Sequence, residues 1–184
     1  MGTIKATNIE PIADNGTVTL GSSGDQFTLA TGAKSSFLYP AFQAYLSSDQ
    51  TLNNDTMTTI AWNAETFDSN SNFDTSNYRF TPTVAGKYFV YVTCNIDVGN
   101  GFYYAYSEVQ KNGSNISDAR IVNIWENLSS SDDSIEGIIL TYHGIVDMNG
   151  SSDYLSVEGY MAGTGTAGNI KGNKTIWGAY RIGS

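Results

Sequence analysis

Basic residues, cysteine and histidine are scarce in this 184-residue chain, and each scarcity closes off a class of function. Nine Lys and Arg stand against eighteen Asp and Glu, a net charge of −9. Neutralising nucleic-acid phosphates needs a basic patch, none is visible, and nucleic acid is excluded as a partner. Cys94 is the only cysteine, so no intrachain disulfide can form; its setting in the apolar run from Tyr88 to Ile96 predicts a buried, inert thiol. A zinc site wants several nitrogen or sulfur ligands, and a hydrolytic triad wants a nucleophile oriented by a ring. His143, the sole histidine, has no local motif of either kind around it and is expected to be a structural strand residue. No apolar run is long enough to span a bilayer, and no charged-then-apolar leader opens the chain as given, so neither membrane insertion nor leader-driven export is expected.

What is abundant points to β-structure. Charged residues make up 15% and aromatics 12%, with twelve Tyr, and Ser, Thr, Asn and Gly fill much of the rest. Such a composition suits strands joined by hydrogen-bonding loops. A chain of this length can bury roughly 70% of its unfolded surface, enough for a core without staples. The Asn-x-Ser/Thr triplets at Asn115 and Asn127 are what an Asn- and Ser-rich chain produces by chance.

One long spaced pattern stands out. Five residues separate Trp62 from Asp68, four separate Asp68 from Phe73, six separate Phe73 from Phe80, and five separate Phe80 from Gly86; Tyr88, Val90 and Val92 then alternate. This resembles the signature of the globular head of complement C1q, in the wider tumour necrosis factor-like jelly-roll family. That family has Phe where Trp62 stands and aromatics where Val90 and Val92 stand, so apolar character is kept at all three. Pro40 to Ala44 is similar to the family's first strand, Val109 to Gly113 to its central hairpin, Asp153 to Val157 to its penultimate strand and Trp177 to Arg181 to its last. The resemblance implies an all-β antiparallel jelly-roll sandwich and a homotrimer. Phe42, Trp177 and Tyr180 then become expected contributors to the trimer interface.

Residues 1–36 read differently from the head at 37–184. Thr17 to Gly21 and Gln26 to Ala30 alternate as two short strands that cannot bury their apolar faces alone. Three copies side by side would cover them, in the style of a phage fibre shaft; a loose tail or two extra edge strands on the head is the other reading. In the head, strands are expected at roughly 39–46, 58–63, 77–82, 86–96, 102–111, 115–123, 137–147, 153–160 and 175–182, with 119–128 also readable as a short helix. Counting antiparallel strands puts the connections at 47–57, 97–101, 124–136 and 161–174 at an apex. The turns at 83–85, 112–114 and 148–152 fall at a base.

Gly163 to Gly168 spells G-x-G-x-x-G but leads into a strand, not a helix, and Asn173 breaks a phosphate-loop pattern at Gly172 to Thr175, so both read as apical loop. Asp132 and Asp133, and Asp147, Asn149 and Asp153, are oxygen-rich; calcium is the one metal they could hold, although the second group lacks the spacing of a calcium hand and reads as a hairpin turn. Tyr103 and Trp125 are the aromatics expected to be exposed for recognition. Tyr104 and Tyr106 are expected in core or trimer packing. Together with Asp132, Asp133, Asn169 and Lys171, Tyr103 and Trp125 form the expected apical ligand-binding set, with no catalytic residue, no metal and no cofactor.

The functional expectation is a non-enzymatic virion adhesion module: the C-terminal tip of a bacteriophage tail fibre that recognises a host-surface glycan or protein. The alternative is a secreted, extracellular C1q-like signalling or lectin module of a cellular organism. An enzyme on this fold would need paired carboxylates in a cleft, which the sequence cannot locate.

Overall fold

The structure is a computed structural model. It describes residues 39–98, 102–124, 135–163 and 167–183, with backbone alone for 118–124 and 135–137. All of these lie within one compact unit, Ser36–Ser184. The shaft expected at 1–36 lies outside the described residues.

Among the described residues the elements are thirteen strands and no helix. One sheet joins β1 (Ala41–Tyr45), β2 (Gln50–Leu52), β4 (Ala64–Asp68), β7 (Gly86–Val98), β10 (Ile135–Met148), β12 (Gly168–Ile170) and β13 (Ile176–Gly183). The other joins β3 (Thr58–Thr59), β5 (Phe73–Asp74), β6 (Arg79–Phe80), β8 (Phe102–Lys111), β9 (Ser114–Ile124) and β11 (Leu155–Gly163). Every strand pairing is antiparallel. In the first sheet β10 follows one edge of β7 throughout, while β13 and β12 share the other edge end to end.

The spaced pattern of the sequence is the core of this sandwich. Trp62, Phe80, Tyr88, Val90 and Val92 are fully buried and Phe73 nearly so. Phe42 stacks on Phe80 at 4.3 Å and on Phe73 at 4.9 Å, and meets Trp177 edge-on at 5.0 Å. Each such side chain contributes roughly 1.5–3 kcal/mol by leaving water. The polar members of the pattern shape the backbone. Asp68 accepts from the Phe73 and Asn70 N–H groups, at 2.7 and 3.2 Å, closing the turn after β4. Gly86 has φ +140°, and a Cβ there would stand 2.2 Å from the Gly183 carbonyl oxygen, so only glycine fits.

Some elements differ from the sequence reading. The strand expected at 58–63 stops at Thr59, because the Trp62 N–H turns back to the Ile60 carbonyl at 3.0 Å and the chain crosses to the other sheet as β4. The helix considered at 119–128 is strand β9 as far as Ile124, paired through Tyr104↔Ile124 and Tyr106↔Val122. Short β2 and β12, expected as loop, pair with each other. Cys94 is fully buried as expected, and burial pushes its thiol up to about 12.

Candidate functional site

Strand register assigns the two ends of the head. Gly86 faces Met148 and Lys87 faces Gly183 at one end of β7; Val98 faces Ile135 and Ile96 faces Ile170 at the other. The base therefore holds the turns at 83–85, 112–114 and 148–152, and the apex holds 46–57 and the ends of β7, β11 and β12. This agrees with the arrangement expected from strand parity.

The base turn is fastened internally. Asp153 is buried; its carboxylate pairs with Lys111 at 2.8 Å and accepts from the Asn112 amide at 2.8 Å and the Asn149 N–H at 2.9 Å. Lys111, followed by Asn112, holds its pKa below the usual carboxylate range. Asn149 Oδ1 caps the N–H groups of residues 151–153 at 2.9–3.0 Å. The oxygens that calcium would need already serve these donors, so this segment does not fit the ion and is a hairpin turn. No cluster of three or more candidate metal-ligating side chains occurs among the described residues.

Of the expected apical set, Tyr103 is exposed at 42%. Asn169 lies half-buried in β12, opposite Thr51 and Asp97. Lys171 is a clamp: its ammonium pairs with Asp49 and, at 3.2 Å, with Asp97, while its N–H donates to the Asn95 carbonyl at 2.8 Å. These carboxylates, Asp49 first, raise its pKa, and its charge is spent on joining three segments. Trp125, Asp132 and Asp133 lie outside the described residues. The glycine-rich segment leads into β12 at Gly168, and no helix among the described residues offers its N-terminus to an anion or is long and apolar enough to cross a membrane.

Two of the expected interface residues are corrected. Phe42 and Trp177 are 0% exposed, locked in the aromatic core, so neither has surface to give to a second chain. Tyr180, from the same strand as Trp177, does point outward. Alternation along β13 explains the split, since successive side chains take opposite faces.

Beyond the expected set, two faces of opposite character emerge. The outward face of the first sheet carries Phe67, Tyr180, Ile182, Ile139 and Ile145, all exposed and apolar. On the same face Phe89 lies opposite Ile145, with ring centroids 5.4 Å from Tyr180, 6.4 Å from His143 and 6.5 Å from Tyr91. His143 is thus an exposed strand residue on an apolar face.

The outward face of the second sheet is aromatic and acidic. Tyr106 and Tyr160, paired across β8 and β11, have centroids 4.9 Å apart with planes 17° off parallel; Tyr104 stands 5.8 Å from Tyr160 and 6.3 Å from Tyr106. Tyr104 and Tyr106, expected in core or interface, are here because β8 bulges. Gly163 pairs with Phe102 but Ala162 pairs with Tyr104, leaving Tyr103 as an extra residue that inverts the alternation. Phe102 and Ala105 then both face inward. Farther along the same face, Glu158 opposes Glu108, with the Gln110 amide donating to both, at 2.5 and 3.4 Å. Burial, then the Glu108 charge, raises the Glu158 pKa. At the apical end the Tyr160 hydroxyl donates to Asp55 Oδ1 at 3.0 Å. Tyr160 was not singled out from sequence, although its alternation with Gly159 and Met161 signals an outward position; nothing local marks Asp55.

No protein-family model matches this sequence. No curated protein matches it either. Solved structures do. The globular domain of zebrafish complement 1qA protein is 13% identical with TM-score 0.54, covering 78% of this chain and 96% of that one. Murine APRIL is 10% identical with TM-score 0.54, covering 77% and 99%. An Eiger TNF from S. frugiperda is 12% identical with TM-score 0.51, covering 78% and 92%. With two antiparallel sheets around one aromatic core and these neighbours, the chain has the C1q/TNF-like jelly-roll fold.

Proposed function

We propose that this chain is the recognition head of a non-enzymatic homotrimer, the C-terminal tip of a bacteriophage tail fibre that holds a host-surface glycan or protein. The observation that carries the trimer is the outward face of the first sheet. Its two isoleucines on β10 are 62% and 59% exposed, and Phe67 is 48% exposed. Several large apolar side chains exposed on one sheet face mark a protein contact. A second copy would cover it, and His143 with it, which favours a structural role over catalysis for the only imidazole.

The fibre reading draws on the alternating apolar patterns at 17–21 and 26–30, which as strands three chains could bury together, and on the single Cys94. Three weak sites on one tip hold a surface far better than one. Sedimentation velocity at micromolar concentration should give three times the 19.9 kDa chain mass. A stable monomer overturns the proposal. For the ligand, Tyr103→Ala with Trp125→Ala should weaken adsorption of the purified head to host cells without unfolding it, and unchanged adsorption removes both from the site. Virion-assembly genes beside this one would support the fibre over a secreted module of the same fold.

A further inference from the structure

We infer, on the reading of this head as a recognition module, that the outward face of the second sheet is a binding site for a neutral oligosaccharide, running from Asp55 through Tyr160, Tyr104 and Tyr106 to Glu158.

The aromatic surface comes first. The three tyrosine planes lie within 25° of parallel with centroids 4.9–6.3 Å apart, so the rings stack on one another as a single unit instead of three independent rings. All three are half-buried, with part of each ring in water. Ring packing across strands stabilises any sheet by about 0.5–1.5 kcal/mol per pair, and phenylalanine would serve that purpose equally well. Here the hydroxyls have work of their own, since that of Tyr160 holds the Asp55 carboxylate.

Asp55 is fixed before any ligand arrives. Its φ of 53° is in the left-handed region that non-glycine residues rarely occupy. The Asp55 N–H donates to the Met161 carbonyl at 2.9 Å; the Asn54 amide donates to Oδ2 at 3.0 Å and to the Gly163 carbonyl at 2.7 Å. Local strain held by several hydrogen bonds is a common mark of a preset binding group. Asp55 is exposed, so its remaining lone pairs face water.

The chemistry matches a sugar. Carboxylates at both ends of the platform accept hydrogen bonds from hydroxyls, phenol groups donate and accept, and rings cover C–H surface. Among the described side chains this face offers the exposed Asp55 and the half-buried Glu158, while Glu108 is 2% exposed and opposes Arg120 across β8 and β9; the chain as a whole carries −9. That net charge disfavours sialylated, sulfated or phosphorylated ligands. The face lies on the opposite side of the sandwich from the apolar sheet, so association through the latter leaves one platform per subunit open to solvent.

The test titrates the full chain with mannohexaose, cellohexaose and lacto-N-tetraose, with sialyllactose and a heparin hexasaccharide as anionic comparators, read by amide NMR shifts. The expected result is binding of at least one neutral probe, with shifts at residues 104–106 and 158–160 and none from the anionic pair. Tyr160→Phe and Asp55→Asn should each weaken that probe about tenfold, roughly 1.4 kcal/mol. Both variants conserve shape, and retained oligomeric mass will certify folding; Lys87→Ala at the base should bind as the parent does. No neutral binding at 10-millimolar order, preference for the anionic probes, or parental affinity in both variants overturns the inference. If the variants lose nothing while the trimer and host adsorption persist, the recognition head stands and only this face falls.

Discussion

The ring of Tyr91 lies over Gly178, where a Cβ would stand 2.3 Å from the Tyr91 hydroxyl oxygen and 2.7 Å from the Phe42 carbonyl oxygen. The absent side chain of Gly178 lets Tyr91 lie flat on the first sheet. Its hydroxyl donates to Gln43 Oε1 at 2.8 Å, and the Gln43 amide passes the link to Thr66 at 3.1 Å. Gly178→Ala should therefore destabilise the head by about 1–3 kcal/mol. By tilting Tyr91 outward it should also weaken self-association; urea melts at fixed protein concentration and sedimentation read the two effects separately.

Phe42 and Tyr180 should fail in different ways. Phe42→Ala opens a hole among three aromatic rings and should cost about 3–5 kcal/mol in stability. Tyr180→Ala removes an outward ring and should leave the chain folded while shifting mass toward monomer. Circular dichroism beside light scattering checks both, and folded monomers from Phe42→Ala would return that residue to the interface.

Trp62 carries a buried indole N–H without a hydrogen-bond partner, as does Trp177, whose ring stands 5.7 Å away. An unmade buried hydrogen bond costs about 1–3 kcal/mol. Trp62→Phe removes that cost while giving up packing volume, so it should change stability by less than about 1.5 kcal/mol, whereas Trp62→Ala should lose about 3–5. Denaturant titration distinguishes them.

Acid should loosen the base turn first. Lys111 and Asn112 hold the Asp153 pKa below its unfolded value, so the stabilisation is complete above the ordinary Asp pKa of about 3.9 and is lost as pH falls through the folded pKa. Asp49 and Asp74 are depressed too and act in the same direction. Asp153→Asn should thus flatten the acid limb in part, measured as urea midpoint against pH below about 4. An unchanged limb would remove Asp153 from the acid response.

Much of the fold could be read in advance because its signals are local or periodic. Tyr88, Val90, Val92 and Cys94 alternate, and alternation states which side is buried. Asp68 and Gly86 sit where a turn needs an acceptor and a positive φ. The ends of the head followed from strand parity, because antiparallel pairing leaves no other choice.

The site was less legible, for identifiable reasons. Tyr104 and Tyr106 are expected in core or trimer packing, and the bulge at Tyr103 takes them out of the core by turning them outward; a one-residue insertion in a ladder depends on what β11 offers opposite, which β8 does not encode by itself. Phe42 and Trp177 were expected at an interface because their strands were, yet face, not strand, decides contact. Asp55 and Tyr160 are 105 residues apart and meet only through the fold.

The sequence by itself determined the class of structure: composition and alternation give a β-rich chain with buried apolar faces, and the spaced aromatic pattern, through its resemblance to the C1q head, implies a sandwich closed around Trp62, Phe73 and Phe80. Only the tertiary structure decided which surfaces remain. It turned one sheet's outer face into exposed isoleucine and aromatic rings and the other's into tyrosines and carboxylates, because the register between distant strands selects which side chains share a face.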